Sequence, residues 1–341
     1  MEYGDRGAVV VLRWRGCLSA IEYGDNGAVE ILREEADELP AADPTTKQKQ
    51  QARTPPSRHL DEEEEAACCY WKTKRLLLLP DELYGQFPTH VIDAERTQVA
   101  GIRYYNDLYG VRAVINVYEP KVKKNSNDLS QTGIEINNGP KGLVDSIVAC
   151  YSVSPSSYGD SFARFHVVWS NGMLNTSCVD HDCPGFVQTS HNVGLGGRVQ
   201  PVSVYNGPQY VITIFIFKDP KTKNWWLAYG ENNTPIGYWP NSLFSTFGDK
   251  GKFSFWGGQA YGSTASSDSP QIGSGHFASE GYGKASFMRN IQIVDQNNNL
   301  VTPNENKGFS VTTDKRKYTV DGYKINKSGM HMYYGGPGNL V

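Results

Sequence analysis

The 341-residue chain has no long hydrophobic run and no excess of positive charge. Its longest strictly apolar run, Ala66–Trp71, is six residues long, whereas a membrane-spanning helix needs about 20. Lysine and arginine total 33 against 36 aspartates and glutamates, which gives a net charge of −3. The sequence therefore predicts neither a membrane helix nor the basic face that a nucleic-acid-binding protein needs.

A signal peptide and the familiar catalytic motifs are also missing. The N-terminus has only the apolar run Ala8–Leu12 between arginines, whereas a signal peptide needs an apolar stretch of about 7–15 residues. No nucleophile-elbow, zinc-protease, P-loop or dinucleotide-binding motif occurs. The sequence thus predicts no export signal and no cofactor.

Cysteine is too scarce for a disulfide scaffold, because there are six in the chain, and the fold must depend on a hydrophobic core. Only Cys178 and Cys183 have a suggestive spacing. With His181 and Asp182 they offer four possible metal ligands in six residues, but a disulfide across this tight loop is the favoured interpretation. We therefore expect no metal site, with Asp180 and His181 in water at the tip of the loop.

Turn-forming and aromatic residues are abundant: Gly and Pro total 53, and Tyr, Phe and Trp total 40. From about residue 87, apolar segments return roughly every 10–15 residues, among them Ala113–Tyr118, Arg164–Trp169 and Tyr210–Lys218. Asn171-Gly172 follows the second of these and is a strong hairpin signal. Because no long helical period intervenes, residues 87–341 are predicted to form one all-β domain, an antiparallel β-sandwich.

Residues 1–86 differ from the rest and are predicted to be a disordered or irregular N-terminal leader. The segment 2–13 returns at 22–33 with nine of twelve residues identical. Two copies are too few for a self-supporting repeat fold, which leaves a docking hairpin or an irregular segment, and the latter is favoured. Residues 40–59 are polar and rich in proline, which predicts a disordered linker.

Seven motifs between Cys178 and Gly338 are the most informative about function. In chain order they are Cys183-Pro-Gly-Phe-Val-Gln188, Asn224-Trp-Trp-Leu227, Ile236-Gly-Tyr-Trp-Pro240, Phe255-Trp-Gly-Gly258, Ile272-Gly-Ser-Gly-His-Phe277, Glu280-Gly-Tyr-Gly-Lys-Ala285 and Tyr333-Tyr-Gly-Gly-Pro-Gly338. With them the chain resembles the plant neprosin family of proline-directed glutamic peptidases, from about residue 87 onwards. The resemblance implies a β-sandwich, an extracellular location, and a proline-rich peptide or protein as partner.

The resemblance also implies a site with two glutamates that face each other across a concave sheet. One carboxylate takes a proton from water, and the other stabilises the oxyanion and protonates the leaving amine. The matching positions hold Val148, before Ala149, and Gln259, after Trp256-Gly-Gly. Glutamine can still donate a hydrogen bond to an oxyanion, but valine has no proton acceptor. We therefore expect a catalytically impaired protein.

Three functions stay open at this point. The first is a non-catalytic sandwich whose groove binds proline-rich peptide or cell-wall carbohydrate. The second is an active proline-cleaving endopeptidase with Gln259 as oxyanion partner and an unidentified base, and the third is a misassembled gene product without a settled role. The candidate groove residues are aromatic, with core packing as the alternative for at least two of them: Trp225, Trp226, Trp239 and Trp256. The polar residues near the matched motifs are not expected to replace the base: Asp145, Ser146, Asp160, His276 and Glu280.

Overall fold

The computed structural model describes residues 96–327 and 329–339, together with the backbone of three strands between residues 10 and 32. The chain divides into two compact units, Met1–Arg58 and His59–Val341. The predicted linker at 40–59 and the predicted boundary between residues 86 and 87 lie outside the described residues. None of the helices in the described part of the chain has the length and apolar character needed to span a bilayer.

β-Strands dominate the regular structure, and the single α-helix of the described residues, α1 (Pro155–Tyr158), has four residues. The strands are β1 (Val10–Trp14), β2 (Cys17–Tyr23), β3 (Val29–Leu32), β4 (Thr97–Leu108), β5 (Gly110–Asn116), β6 (Leu129–Asn138), β7 (Asp145–Val153), β8 (Arg164–Asn171), β9 (Thr176–Val179), β10 (Val187–Gln188), β11 (Val211–Lys218), β12 (Trp225–Tyr229), β13 (Thr234–Trp239), β14 (Gly251–Tyr261), β15 (Ser286–Val294), β16 (Leu300–Val301), β17 (Gly308–Thr312), β18 (Thr319–Asn326) and β19 (Gly329–Gly335).

The N-terminal unit contains a three-stranded antiparallel sheet in the order β1-β2-β3. Strand β1 begins in the first copy of the duplicated segment, and β3 lies in the second copy. The central strand β2 therefore pairs with one strand from each copy. The rest of the predicted leader lies outside the residues that the structure describes.

The second unit contains two large sheets. One has seven strands in the order β17-β4-β14-β6-β7-β8-β9, and the other has nine, in the order β10-β13-β12-β11-β5-β15-β19-β18 with β16 beside β15. All neighbouring strands in both sheets pair antiparallel. The predicted all-β, antiparallel sandwich is confirmed.

The hairpin predicted from Asn171-Gly172 is present. Strand β8 ends at Asn171 and pairs with β9, but the turn spans residues 172–175 and has its positive φ, 48°, at Asn175 and not at Asn171 or Gly172. Asparagine tolerates positive φ better than most residues. In a second hairpin, β11 pairs with β12, Asp219 accepts hydrogen bonds from the turn backbone at Lys221 and Thr222, and the positive φ is at Lys223.

One hydrophobic core contains side chains from both large sheets, and alternation along the strands fills it. Among its fully buried members are Ile102, Ile134, Ala149 and Trp256 from the seven-stranded sheet, and Ile115, Ile214, Leu227 and Met288 from the nine-stranded sheet. Burying a large apolar side chain contributes about 1.5–3 kcal/mol. This shared core holds the two sheets together and leaves the alternate residues of each strand on the outer faces.

The disulfide predicted between Cys178 and Cys183 is confirmed, with the two Cα atoms 5.9 Å apart. It closes the loop that follows β9. Asp180 lies inside this loop with a φ of 48°. The closed loop fixes the backbone around Asp180, whose side chain reaches the neighbouring strand.

Candidate functional site

The outer face of the seven-stranded sheet, the face turned away from the core, carries the residues that match the family's catalytic positions. Directly opposite residues in a sheet point to the same side, so the register fixes which side chains share this face. Three neighbouring rows cross strands β4, β14, β6, β7 and β8 in that order. We name each row by a characteristic residue. The glutamine row contains Val99, Gln259, Gln131, Ser152 and Arg164, and the glycine row, next to it, contains Gly101, Gly257, Gly133, Cys150 and His166. The glutamate row, on the other side of the glycine row, contains Arg103, Phe255, Glu135, Val148 and Val168.

The two matched positions, Val148 and Gln259, therefore lie on the same face of the same sheet. Gln259 is on β14 in the glutamine row, and Val148 is on β7 in the glutamate row. Two strand spacings and four residues separate them, which is about 10 Å across the sheet and about 13 Å along it. Side chains at these two positions stand on the same face, on opposite sides of the glycine row.

Gln259 is held in a defined orientation. Its Oε1 accepts a hydrogen bond of 2.8 Å from Nε2 of Gln131, directly opposite on β6, and a second from the hydroxyl of Tyr261. The thiol of Cys150 lies 3.9 Å from Oε1 of Gln131. Because both bonds to Gln259 use its oxygen, its Nε2 is directed away from them. The side chain can therefore present an N–H donor to a ligand on this face.

Glu135 is a carboxylate on this face that the sequence analysis did not identify. It lies on β6 directly opposite Val148 on one side and Phe255 on the other, and it is only 4% exposed. Burial first, and then the charge of Glu135, raises the pKa of Tyr261 well above its usual value. Alternation along Gln131-Thr-Gly-Ile-Glu135 was the sequence signal that could have placed Glu135 on this strand face.

The glycine row brings the other two rows close together. A Cβ atom on Gly133 would lie 2.5 Å from Cβ of Cys150, and one on Gly101 would lie 2.6 Å from the ring of Phe255. Larger residues would displace these neighbours. Over β4, β14 and β6 the floor between the glutamine and glutamate rows is glycine backbone; it is buried, and the ring of Phe255 packs over it at Gly101 and Gly257.

At the β8 end of the glycine row, His166 is held by a carboxylate. Its Nδ1 donates to Oδ2 of Asp180 at 2.7 Å, while Oδ1 of Asp180 accepts from the backbone N–H of Val167 at 2.9 Å. The hydroxyl of Tyr158 lies 3.4 Å from Nε2 of His166. Burial and the Asp180 charge raise the pKa of Tyr158 to about 12. Asp180 thus binds His166, whereas we had expected it in water; His181 is exposed as predicted.

Cys150 lies between His166 and Gly133 in the glycine row and is 1% exposed. Burial, followed by the charges of Asp180 and Glu135, raises the pKa of its thiol strongly. The thiol therefore stays protonated at neutral pH, and a thiolate is what nucleophilic attack and metal binding require. The geometry beside His166 does not make Cys150 a nucleophile.

The four tryptophans proposed as groove residues lie elsewhere in the fold. Trp225, Trp239 and Trp256 are fully buried in the core between the sheets. Trp226 lies on the outer side of the nine-stranded sheet, half-buried, with its ring 4.9 Å from that of Tyr238. None of the four is on the outer face of the seven-stranded sheet.

The polar residues that were weighed as replacement bases make local hydrogen bonds. Asp145 is fully buried and accepts from the backbone N–H groups of Gly172 and Thr246. His276 and Glu280 bond each other at 3.0 Å near the surface. Ser146 bonds Ser170, and Asp160 pairs with Arg164. Within the described residues, no group of three or more His, Cys, Asp or Glu side chains is arranged to hold a metal ion.

Residues 126–337, more than half of the chain, match the family model described as Neprosin. This range contains both matched positions, Val148 and Gln259, and the whole of strands β6 to β19.

Among solved structures, the chain has low-scoring matches to glutamic peptidases. The crystal structure of scytalido-glutamic peptidase with a peptide-based transition-state analog has 9% identity and a TM-score of 0.38, and the match covers 71% of this chain and 98% of that one. SCP-B, a member of the Eqolisin family of peptidases, in a complex with the tripeptide Ala-Ile-His, has 9% identity and a TM-score of 0.34, with 70% and 98% covered.

Proposed function

Because the chain belongs to the Neprosin family, we propose that it binds an extended, proline-containing peptide on the outer face of its seven-stranded sheet and is impaired in hydrolysing it through the family's two catalytic positions. The observation that carries this proposal is the pair of side chains there, Val148 and Gln259. Hydrolysis by two facing carboxylates needs one group that is a base and one that is an acid. The side chains of valine and glutamine can act neither as a base nor as an acid.

The impairment is unequal at the two positions. Gln259 retains a donor, because its oxygen is engaged by Gln131 and Tyr261 and its Nε2 is directed away from them. Such a donor stabilises an oxyanion. Val148 supplies neither a proton acceptor nor a hydrogen bond, and general-base assistance alone contributes about 10²–10⁴-fold to rate. The defect is therefore chiefly a missing base.

The remaining surface suits peptide binding. The glycine row brings no side chain of its own between Gln259 and Glu135, and the ring of Phe255, which packs over Gly101 and Gly257 and is 5% exposed, is an apolar group of the kind on which proline rings pack. The amide of Gln259 can bond a backbone carbonyl. The preference for proline is the part of the proposal that comes from the family resemblance.

The proposal includes an oxidising, extracellular location. Disulfides persist mainly in such compartments, and the Cys178–Cys183 disulfide holds the loop that carries Asp180. Reduction would release this loop and with it the carboxylate that orients His166.

The full chain can be tested with a labelled proline-rich peptide, with binding followed by fluorescence anisotropy and cleavage by mass spectrometry from acid to neutral pH. We expect binding with little or no product. The double variant V148E/Q259E restores both family carboxylates and should cleave faster. The matched control V168E/Q259E carries the same two new carboxylates but places one of them a strand away, and it should show no gain.

Two results would contradict the proposal. Absence of binding to any proline-containing peptide would exclude the peptide-binding function. Cleavage by the unmodified chain at the rate of the V148E/Q259E variant would show that loss of the two glutamates causes no impairment.

A further inference from the structure

We propose that Glu135 supplies, from the neighbouring strand, the general base that is missing at position 148, so that the chain retains slow amide hydrolysis with Gln259 as the oxyanion donor. This inference rests on the proposed peptide binding to the same face. It assigns a catalytic role to a residue that matches neither of the family's two positions.

The register places Glu135 where a substitute carboxylate has to be. Glu135 and Val148 are directly opposite each other on β6 and β7 and point to the same face. Directly opposite residues have Cβ atoms about 4.5–5.5 Å apart. A carboxylate at 135 is therefore displaced by about one strand spacing from one at 148, and the displacement is toward β14, the strand of Gln259.

On β6, only Gly133 separates the row of Glu135 from the row of Gln259 on this face. Glu135 and Gln131 are four residues apart on β6, about 13 Å between Cα atoms, with Gly133 between them. Gln259 is opposite Gln131 and bonds it. A peptide amide and one water lying over Gly133 would have the carboxylate of Glu135 on one side and the amide of Gln259 on the other.

Two further observations connect Glu135 to this space. Burial chiefly, and then the charge of Glu135, raises the pKa of Tyr261, whose hydroxyl bonds Gln259; burial, the charge of Asp180 and then that of Glu135 raise the pKa of Cys150, which lies beside Gly133. Glu135 is therefore electrostatically coupled to both residues. At 4% exposure it is also shielded from bulk water, which strengthens its interaction with a bound ligand.

The ionisable groups that share the face with Glu135 come from four strands. They are Arg103 and Tyr105 on β4, Tyr261 on β14, Cys150 on β7, and Arg164 and His166 on β8, with His166 bonded to Asp180. Arg103 is in the same row, on the far side of Phe255. A purely structural role, in which Glu135 balances the charge of buried Arg103, is the competing explanation that the experiment has to separate.

The proposed step is balanced within the site. The Glu135 carboxylate takes a proton from water as the water oxygen bonds to the peptide carbonyl carbon, and the oxyanion accepts a hydrogen bond from Nε2 of Gln259. The protonated Glu135 then gives this proton to the amide nitrogen as the C–N bond breaks. One water is consumed, a carboxylic acid and an amine are released, and Glu135 returns to its ionised form.

The test measures slow cleavage of the labelled proline-rich peptide by the full chain, with peptide affinity and melting temperature measured in parallel. We expect E135Q, which keeps the shape and removes the base, to lower the rate by about 100-fold or more while affinity stays within about threefold. The double variant E135Q/V148E moves the carboxylate back across the strand pair and should recover cleavage. Its matched control, E135Q/V168E, should not, and E231Q, a Glu-to-Gln change in an exposed turn, should cleave like the unmodified chain.

A purely structural role predicts another pattern. If Glu135 only balances Arg103, E135Q lowers the melting temperature and cleavage does not return in E135Q/V148E. If E135Q fails to fold, the double variant E135Q/V148E is used instead, because it keeps one carboxylate in the glutamate row. Its cleavage rate then distinguishes the catalytic role from the structural one. Wild-type cleavage in E135Q, or binding without any product from the unmodified chain, overturns this inference and leaves the proposed peptide binding intact. Absence of binding overturns both.

Discussion

The two faces of the seven-stranded sheet are made of alternate residues of the same strands, yet they differ in what their side chains contribute. On β14, Trp256 turns inward and is fully buried, whereas Gln259 turns outward toward Gln131. On β6, Ile134 and Ile136 belong to the core, while Glu135 between them does not. Because stability depends on the inner set and not on the outer set, the family fold tolerates valine and glutamine at 148 and 259, the positions that the sequence analysis matched to the family's glutamates.

The largest effect should follow from a change on the inner face. We expect Trp256→Ala to lower the free energy of unfolding by about 3–5 kcal/mol, because it removes a fully buried ring that packs 5.3 Å from the ring of Tyr104. The measurement is urea unfolding of the full chain. Gln259→Ala on the same strand is the outer-face control and should cost about 1 kcal/mol or less. A similar loss of unfolding free energy in the two variants would contradict the proposed difference between the inner and outer faces.

A smaller loss of stability is expected where the outer face is closely packed. A Cβ on Gly133 would lie 2.3 Å from the backbone oxygen of Ala149, so Gly133→Ala should force β6 and β7 apart and cost about 1–3 kcal/mol. Gly194→Ala is the control, because nothing lies within 4 Å of its added Cβ. Equal melting temperatures for the two variants would show that the glycine row tolerates side chains.

The outer face should also respond to added charge with a pH dependence. Val148→Glu places a second carboxylate directly opposite Glu135, and such a like-charge pair costs about 1 kcal/mol. Repulsion raises the pKa of one carboxyl group in the folded state above its unfolded value. At acid pH, where that carboxyl group is protonated in both the folded and the unfolded state, Val148→Glu should therefore lose no stability through repulsion. The loss appears as the pH rises through the pKa values of the carboxyl groups. Unfolding at acid and neutral pH, with Val148→Gln as the uncharged control, measures it; a pH-independent difference would contradict the proximity of the two side chains.

The smallest effect is expected at the edge of the outer face. Tyr158→Phe removes a hydroxyl that lies 3.4 Å from Nε2 of His166, a long hydrogen bond worth about 0.5 kcal/mol or less. Thermal unfolding should change little, whereas the chemical shifts of the His166 imidazole in an NMR spectrum should change, because a neighbouring hydroxyl is removed. A large loss of stability would mean that Tyr158 stabilises the outer face itself.

Local sequence patterns predicted a large part of this protein. Asn171-Gly172 predicted the β8–β9 hairpin, the five-residue separation of Cys178 and Cys183 predicted the disulfide, and Trp256-Gly-Gly led to Gln259. Each of these features depends on residues that are near one another in the chain. Backbone geometry and short loops restrict such segments strongly.

The functional neighbours of these residues were not predictable in the same way. Glu135 and Val148 are 13 positions apart and meet only because β6 and β7 pair in one register. Asp180 was expected in water, but the disulfide loop turns it back to His166. The burial of Trp225, Trp239 and Trp256 was likewise decided by which sides of their strands meet in the core.

The sequence by itself determined the strand alternation, the turns, the disulfide and the presence of valine and glutamine at positions 148 and 259, because these depend on residue type and short-range spacing. Only the tertiary structure decided that Glu135 stands opposite Val148, that Gln259 is held by Gln131 and Tyr261, and that a glycine floor lies between the two rows. The physical reason is that a one-residue change of register turns every side chain of a strand to the other face of the sheet. Packing of the two sheets around a shared core selects one register, and that register assembles the candidate site.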